Sequence, residues 1–99
     1  MQIKILKAKV AEAEHFMRRA GYGRLFDRRS QHVSFVKRIH GDLYPRFHVY
    51  IKDEGENWTL NLHLDQRATM YEGVTAHSGE YEGTAVEKEA ARIIAFLPS

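Results

Sequence analysis

The segment Asn61-Leu-His-Leu-Asp65 alternates polar and apolar side chains, so an extended strand here places Asn61, His63 and Asp65 on one face and the two leucines on the other. A second alternating run, Phe47 to Lys52, carries His48 on the same side as Arg46 and Tyr50. A hairpin joining the two runs brings both histidines together. With Glu54 to Asn57 as a four-residue turn, His48 lies across from His63, Arg46 from Asp65 and Tyr50 from Asn61; a tighter turn makes the histidines diagonal neighbours. Further along, His77 and Glu80 add an imidazole and a carboxylate within a long polar segment. Groups of this kind bind divalent metals. A catalytic zinc takes three protein ligands and leaves a position for a water whose lowered pKa makes it a nucleophile. His48, His63, Asp65, His77 and Glu80 are therefore candidate ligands of a metal-assisted hydrolase or nuclease, with Glu80 as ligand or base. Their spacing matches no specific metal motif, and cross-strand hydrogen bonds of His63 and Asp65 with Arg46 and His48 account for the same residues without a metal. Without metal, the cluster is a proton-transfer site in which Asp65 orients an imidazole, and Ser78 beside His77 is the hydroxyl nearest in sequence.

The elements that must position these residues follow from the rest of the pattern. Val10, Ala13, Met17 and Ala20 form one helical stripe within Ala8 to Ala20, and Gly21 supplies a stop. Ile3 and Ile5 before it fit either a first helical turn or a short strand. Three β-rich runs follow, His32 to Ile39, Phe47 to Lys52 and Trp58 to Asp65, with Leu25-Phe26 as a shorter run ahead of them. Thr84 to Glu87 reads as a capping box, followed by Val86, Ala90, Ile93, Ile94 and Leu97 at helical spacing. Glu87 and Glu89 then sit in a first turn, where the helix dipole explains their charge. The expectation is an α+β domain with three antiparallel strands and two helices on one face, in the order α-β-β-β-α, with an extra short N-terminal strand as a variant. Residues 1–99 form one compact unit with a long loop at 66–83, a length that marks functional or disordered connections.

Composition narrows the function classes. A hydrophobic content of 43% and a charged content of 28% fit a globular protein in water, and no apolar run reaches the length of a membrane span. The first residues alternate isoleucine with lysine and lack the unbroken apolar stretch of a secretory signal, which points to a cytoplasmic location. The absence of cysteine excludes disulfides, thiolate metal sites and a cysteine nucleophile. The net charge of +2 hides a partition: residues 1–52 hold twelve Lys/Arg against four Asp/Glu, and residues 53–99 three against nine. Such a split suits a polyanion-binding surface, or a homo-oligomer in which the basic half of one copy meets the acidic half of another. Arg18, Arg19, Arg28, Arg29, Arg38 and Arg46 are the candidate phosphate contacts, interleaved with Tyr22, Phe35 and Tyr44.

The helix ending at Gly21-Tyr22, followed by Ser30-Gln31-His32, resembles over about the first third of the chain the HicA-type toxins, which have the double-stranded-RNA-binding fold. Ser30-Gln31 stands where that family has Gly-Ser before an RNA-cleaving histidine. The resemblance implies RNA as the nucleic acid and a cleaving role for His32. The segments Tyr44-Pro-Arg-Phe-His48 and Leu62-His-Leu-Asp-Gln66 are also similar to a family of small bacterial proteins, a likeness that carries no activity with it. The expected function is a small cytoplasmic binding or regulatory module that contacts RNA through its basic half.

Overall fold

The computed structural model describes residues 1–66 and 78–98, and for 78–82 the description extends to the backbone only. The elements run β1 (Gln2–Leu6), α1 (Ala13–Arg19), β2 (Gly23–Asp27), β3 (His32–Arg38), β4 (Arg46–Glu54), β5 (Asn57–Asp65) and α2 (Ser78–Ile94). The five strands make one antiparallel sheet in the order β1-β5-β4-β3-β2. The α+β class thus holds, but the three-stranded, α-β-β-β-α expectation does not. Ile3 and Ile5 belong to a strand that pairs with β5, and the short run around Leu25-Phe26 becomes β2, the partner of β3. Both strands are five residues long, too short for alternation to separate strand from turn.

The register of the central hairpin follows from its turn. Gly55 adopts a left-handed conformation (φ 64°), which a side chain resists, and Glu54 pairs with Asn57 across the two residues between them. His48 therefore opposes His63, Arg46 opposes Asp65 and Tyr50 opposes Asn61.

One face of the sheet carries Ile3, Ile5, Phe35, Phe47, Val49, Leu60 and Leu62, and these pack with Phe16, Met17 and Ala20 of the α1 region and with Ala90 and Ile93 of α2 in a single core cluster. The helix is shorter than the expected Ala8 to Ala20: Ala13, Met17 and the C-cap Ala20 are buried as its stripe, while Val10 is buried from the connection that precedes it. The last helix begins at Ser78, six residues before Thr84, so the Thr84–Glu87 box is not its start. Correspondingly, 78–83 is helix and not part of the expected 66–83 loop; residues 67–77 of that loop lie outside the described residues. Glu89 likewise is no first-turn carboxylate. It is buried, and both its oxygens accept from Arg92 (2.7 and 2.8 Å) while one also accepts from the Tyr22 hydroxyl (2.5 Å). Arg92 Nη2 reaches on to the Ala20 carbonyl (2.6 Å), which ties the end of α1 to α2. No helix among the described residues is long and apolar enough to cross a membrane.

Candidate functional site

On the sheet face away from the helices, β4 contributes Arg46, His48 and Tyr50, β5 contributes Asn61, His63 and Asp65, and β3 contributes Ser34, Val36 and Arg38. These residues are not a simple solvated surface. Ser34 is 4% exposed and His48 8% exposed. His48 Nδ1 lies 2.6 Å from Asp65 Oδ2, and its Nε2 lies 2.7 Å from Ser34 Oγ. Arg46 Nε approaches the same Asp65 oxygen at 3.4 Å and its guanidinium stacks on Tyr44, 4.6 Å from the ring centroid. Tyr50 stacks on His48 (centroids 4.5 Å apart, planes at 26°) and meets the His63 ring edge-on at 6.0 Å.

The chemistry of this chain of bonds is fixed by what each group can donate. An ionised carboxylate only accepts, so in the neutral imidazole the proton sits on Nδ1 and is donated to Asp65; Nε2 then accepts from the Ser34 hydroxyl. Hydroxyl, imidazole and carboxylate thus stand in the connectivity of a nucleophile, its base and the group that orients the base. Ser34 is not among the sequence candidates. Its nearness to His48 depends on the β3–β4 register, in which Val36 opposes His48, and nothing in the sequence sets that register as the Gly55 turn sets the next one.

The metal candidates are distributed differently from the expectation. Of the hydrogen bonds weighed against a metal, those of Asp65 with His48 and Arg46 are present. Both ring nitrogens of His48 are committed, and among the described residues no group of three His, Asp or Glu is placed to hold a metal ion. His77 and the Glu80 side chain lie outside the described residues, as do the side chains of Ser78 and Tyr81.

The six candidate arginines also separate. Arg46 is half-buried in the pair with Asp65 and is unavailable to a phosphate without breaking it. Arg38, exposed at the end of β3, stands opposite Arg46 on the open face. Arg28 and Arg29 occupy the β2–β3 turn, where the Arg29 backbone N–H donates to Asp27 Oδ1 (2.9 Å) and both side chains are exposed. Arg18 and Arg19 lie in the last turn of α1. Glu14 draws Arg18 (3.2 Å) and Arg24 (3.7 Å) to a single carboxylate oxygen, so the helix and the start of β2 share one cationic edge. Arg19 lines a pocket of about 320 Å³ with Lys9, Glu12, His15, Phe16 and Phe96. His32 is exposed at the beginning of β3, opposite Asp27 and remote along the strand from Arg38. No family model, curated protein or solved structure matches the chain.

Proposed function

We propose that the protein is a nucleic-acid-binding module whose contact surface runs from the end of α1 onto the β2–β3 hairpin. The observation that carries this reading is the continuity of Arg18, Arg24, Arg28 and Arg29, gathered by Glu14 at one end and exposed at the hairpin turn at the other. Asp27 lies within that stretch, but its carboxylate accepts from the backbone of its own turn. A preference for RNA rests on the α-β-β-β-α order, which is not the order of this chain, so RNA and DNA are the two arms of the test. Four arginine–phosphate contacts on a duplex give a slope of about −3.6 in log affinity against log salt. Fluorescence anisotropy with labelled RNA and DNA duplexes at several salt concentrations measures it. Reversing Arg28 and Arg29 to Glu removes two of the contacts, and the slope is expected to shrink by about half. Binding that is unchanged in the double variant, or absent at the lowest salt, ends the proposal.

A second reading rests on the Ser34–His48–Asp65 geometry: Ser34 Oγ acts as a nucleophile toward an ester or phosphoryl centre. An alkyl fluorophosphonate tests this directly. Oγ attacks phosphorus, its proton passes to His48 Nε2, and fluoride leaves. A mass increase localised to Ser34 and lost in His48→Ala supports the reading. Because Tyr50 covers His48, Tyr50→Ala is assayed alongside; no adduct in either protein refutes it.

A further inference from the structure

β2 is the last strand of the sheet, and its outer edge pairs with no other strand among the described residues. Its ladder with β3 runs without a bulge from Gly23 opposite Val36 to Asp27 opposite His32. It contains no proline, and its two charges, Arg24 and Asp27, are of opposite sign, whereas β1 at the other edge carries Lys4 and is followed by Lys7. Leu25 is half-buried and Phe26 is 50% exposed. A bulge-free edge with a large exposed apolar side chain, whose charges are of both signs, is a template for a strand of complementary charge.

We infer that this edge pairs antiparallel with β2 of a second copy of the chain, joining the two sheets into one of ten strands about a two-fold axis at Leu25. The register follows from symmetry and charge. A two-fold axis normal to the sheet keeps each side chain on its own face, so the axis must pass through a residue that opposes itself. Centred on Arg24, the pairing sets two guanidinium groups against each other; centred on Phe26, it sets Arg24 against Arg28 of the second copy. Centred on Leu25, it places Leu25 on Leu25, Arg24 beside Phe26 twice and Gly23 opposite Asp27 twice. This is the arrangement of the three that faces no like charges, and it covers Phe26 with a cation suited to an aromatic ring. The inference does not depend on nucleic acid, because the contact is built from the backbone edge and these three side chains.

The chain has no cysteine, so a single introduced thiol reports the register without background. Residues directly opposite in an antiparallel pair are about 4.5–5.5 Å apart, within disulfide reach, while same-face diagonal neighbours stand about 7–8 Å apart, beyond it. Under mild oxidation Leu25→Cys is expected to give a disulfide-linked dimer, and Arg24→Cys and Phe26→Cys, whose counterparts lie diagonally, are expected to remain unlinked. In parallel, sedimentation of the unmodified protein without nucleic acid is expected to show a dimer. Phe26→Arg, which sets guanidinium groups against each other twice, is expected to be monomeric with an unchanged melting curve. A monomer for the unmodified chain, a dimer with Leu25→Cys unlinked, or equal linking at all three positions overturns the inference.

Discussion

Replacing Glu89 by alanine removes the centre of a polar network that joins the end of α1 to α2. Three donors converge on its carboxylate: the Tyr22 hydroxyl and two nitrogens of Arg92. The Glu89 side chain is 5% exposed and the Arg92 side chain 36%, so the two partners respond differently. Arg92 can turn to water and keeps its bond to the Ala20 carbonyl, which discounts the 3–5 kcal/mol typical of breaking a buried ion pair. Tyr22 is buried and has no such escape; its orphaned hydroxyl costs about 1–3 kcal/mol. Together with the lost methylene packing, Glu89→Ala is expected to destabilise by about 3 kcal/mol, a drop in Tm of roughly 12–15 °C for a domain of this size. Tyr22→Phe leaves the Glu89–Arg92 pair intact and costs about 1 kcal/mol. In the Glu89→Ala background the same change removes the orphaned hydroxyl and is expected to recover about 1–3 kcal/mol, a coupling of about 2–4 kcal/mol. Urea unfolding followed by the fluorescence of Trp58, the one tryptophan, measures all four proteins of the cycle. A Tyr22→Phe cost that is the same in both backgrounds, or a Glu89→Ala loss below about 1 kcal/mol, refutes the network as a stabilising unit.

The same carboxylate sets a pH dependence. Burial pushes the Glu89 carboxyl up, but hydrogen bonds from Arg92 and Tyr22 and the Arg92 charge outweigh it and hold the group below the ordinary carboxylate range. A depressed folded-state pKa gives stability that is full above the unfolded value of about 4.3 and is lost as pH falls through the folded value. The stability difference between the native chain and Glu89→Gln is thus expected to be constant at neutral pH and to shrink below about pH 4; a difference that grows on acidification contradicts the sign. For the open face, nitrogen-15 spectra of the neutral imidazole are expected to show His48 protonated on Nδ1, with that preference lost in Asp65→Asn. An Nε2-protonated His48 in the native chain would rule out the donor order from ring to carboxylate.

The β4–β5 hairpin is legible in the sequence because two independent signals agree: apolar alternation chooses the face of each residue, and turn-type residues from Asp53 to Asn57 mark where the chain reverses, while the offset depends on the length of that turn. Residue types and spacing alone bring His48 and His63 close together but leave direct and diagonal opposition open, and the turn adopted in the structure selects direct opposition. The α1 stripe is legible for a similar reason, since Ala13, Met17 and Ala20 repeat at the helical period and are buried, whereas Val10, at the same period, is buried ahead of the helix. Short strands are not. In β2 only Leu25 is even half-buried, so no face-by-face alternation marks Gly23 to Asp27, and the strand exists because β3 offers its edge. The start of α2 is obscured for the opposite reason, a misleading local signal: Thr84 and Glu87 have the capping-box types but stand inside a helix that is already running. Ser34 and the Tyr22–Glu89–Arg92 network share one obstacle. Each joins residues of separate elements, with Tyr22 and Glu89 sixty-seven positions apart, and residue type alone does not tell a buried serine or glutamate from a solvated one.

The sheet order also has a consequence for the timing of assembly. Strands β2 to β5 are neighbours in sequence as well as in space, each joined to the next by a short connection, whereas β1 pairs with a strand about fifty residues further along the chain. During synthesis the segment that becomes β1 leaves the ribosome well before Asn57 to Asn61, its hydrogen-bonding partners, exist. Ile3 and Ile5 must wait in water through that interval, separated by Lys4 and followed by Lys7. The lysines act as gatekeepers for a nascent apolar strand, a task finished once β5 arrives and the isoleucines turn inward.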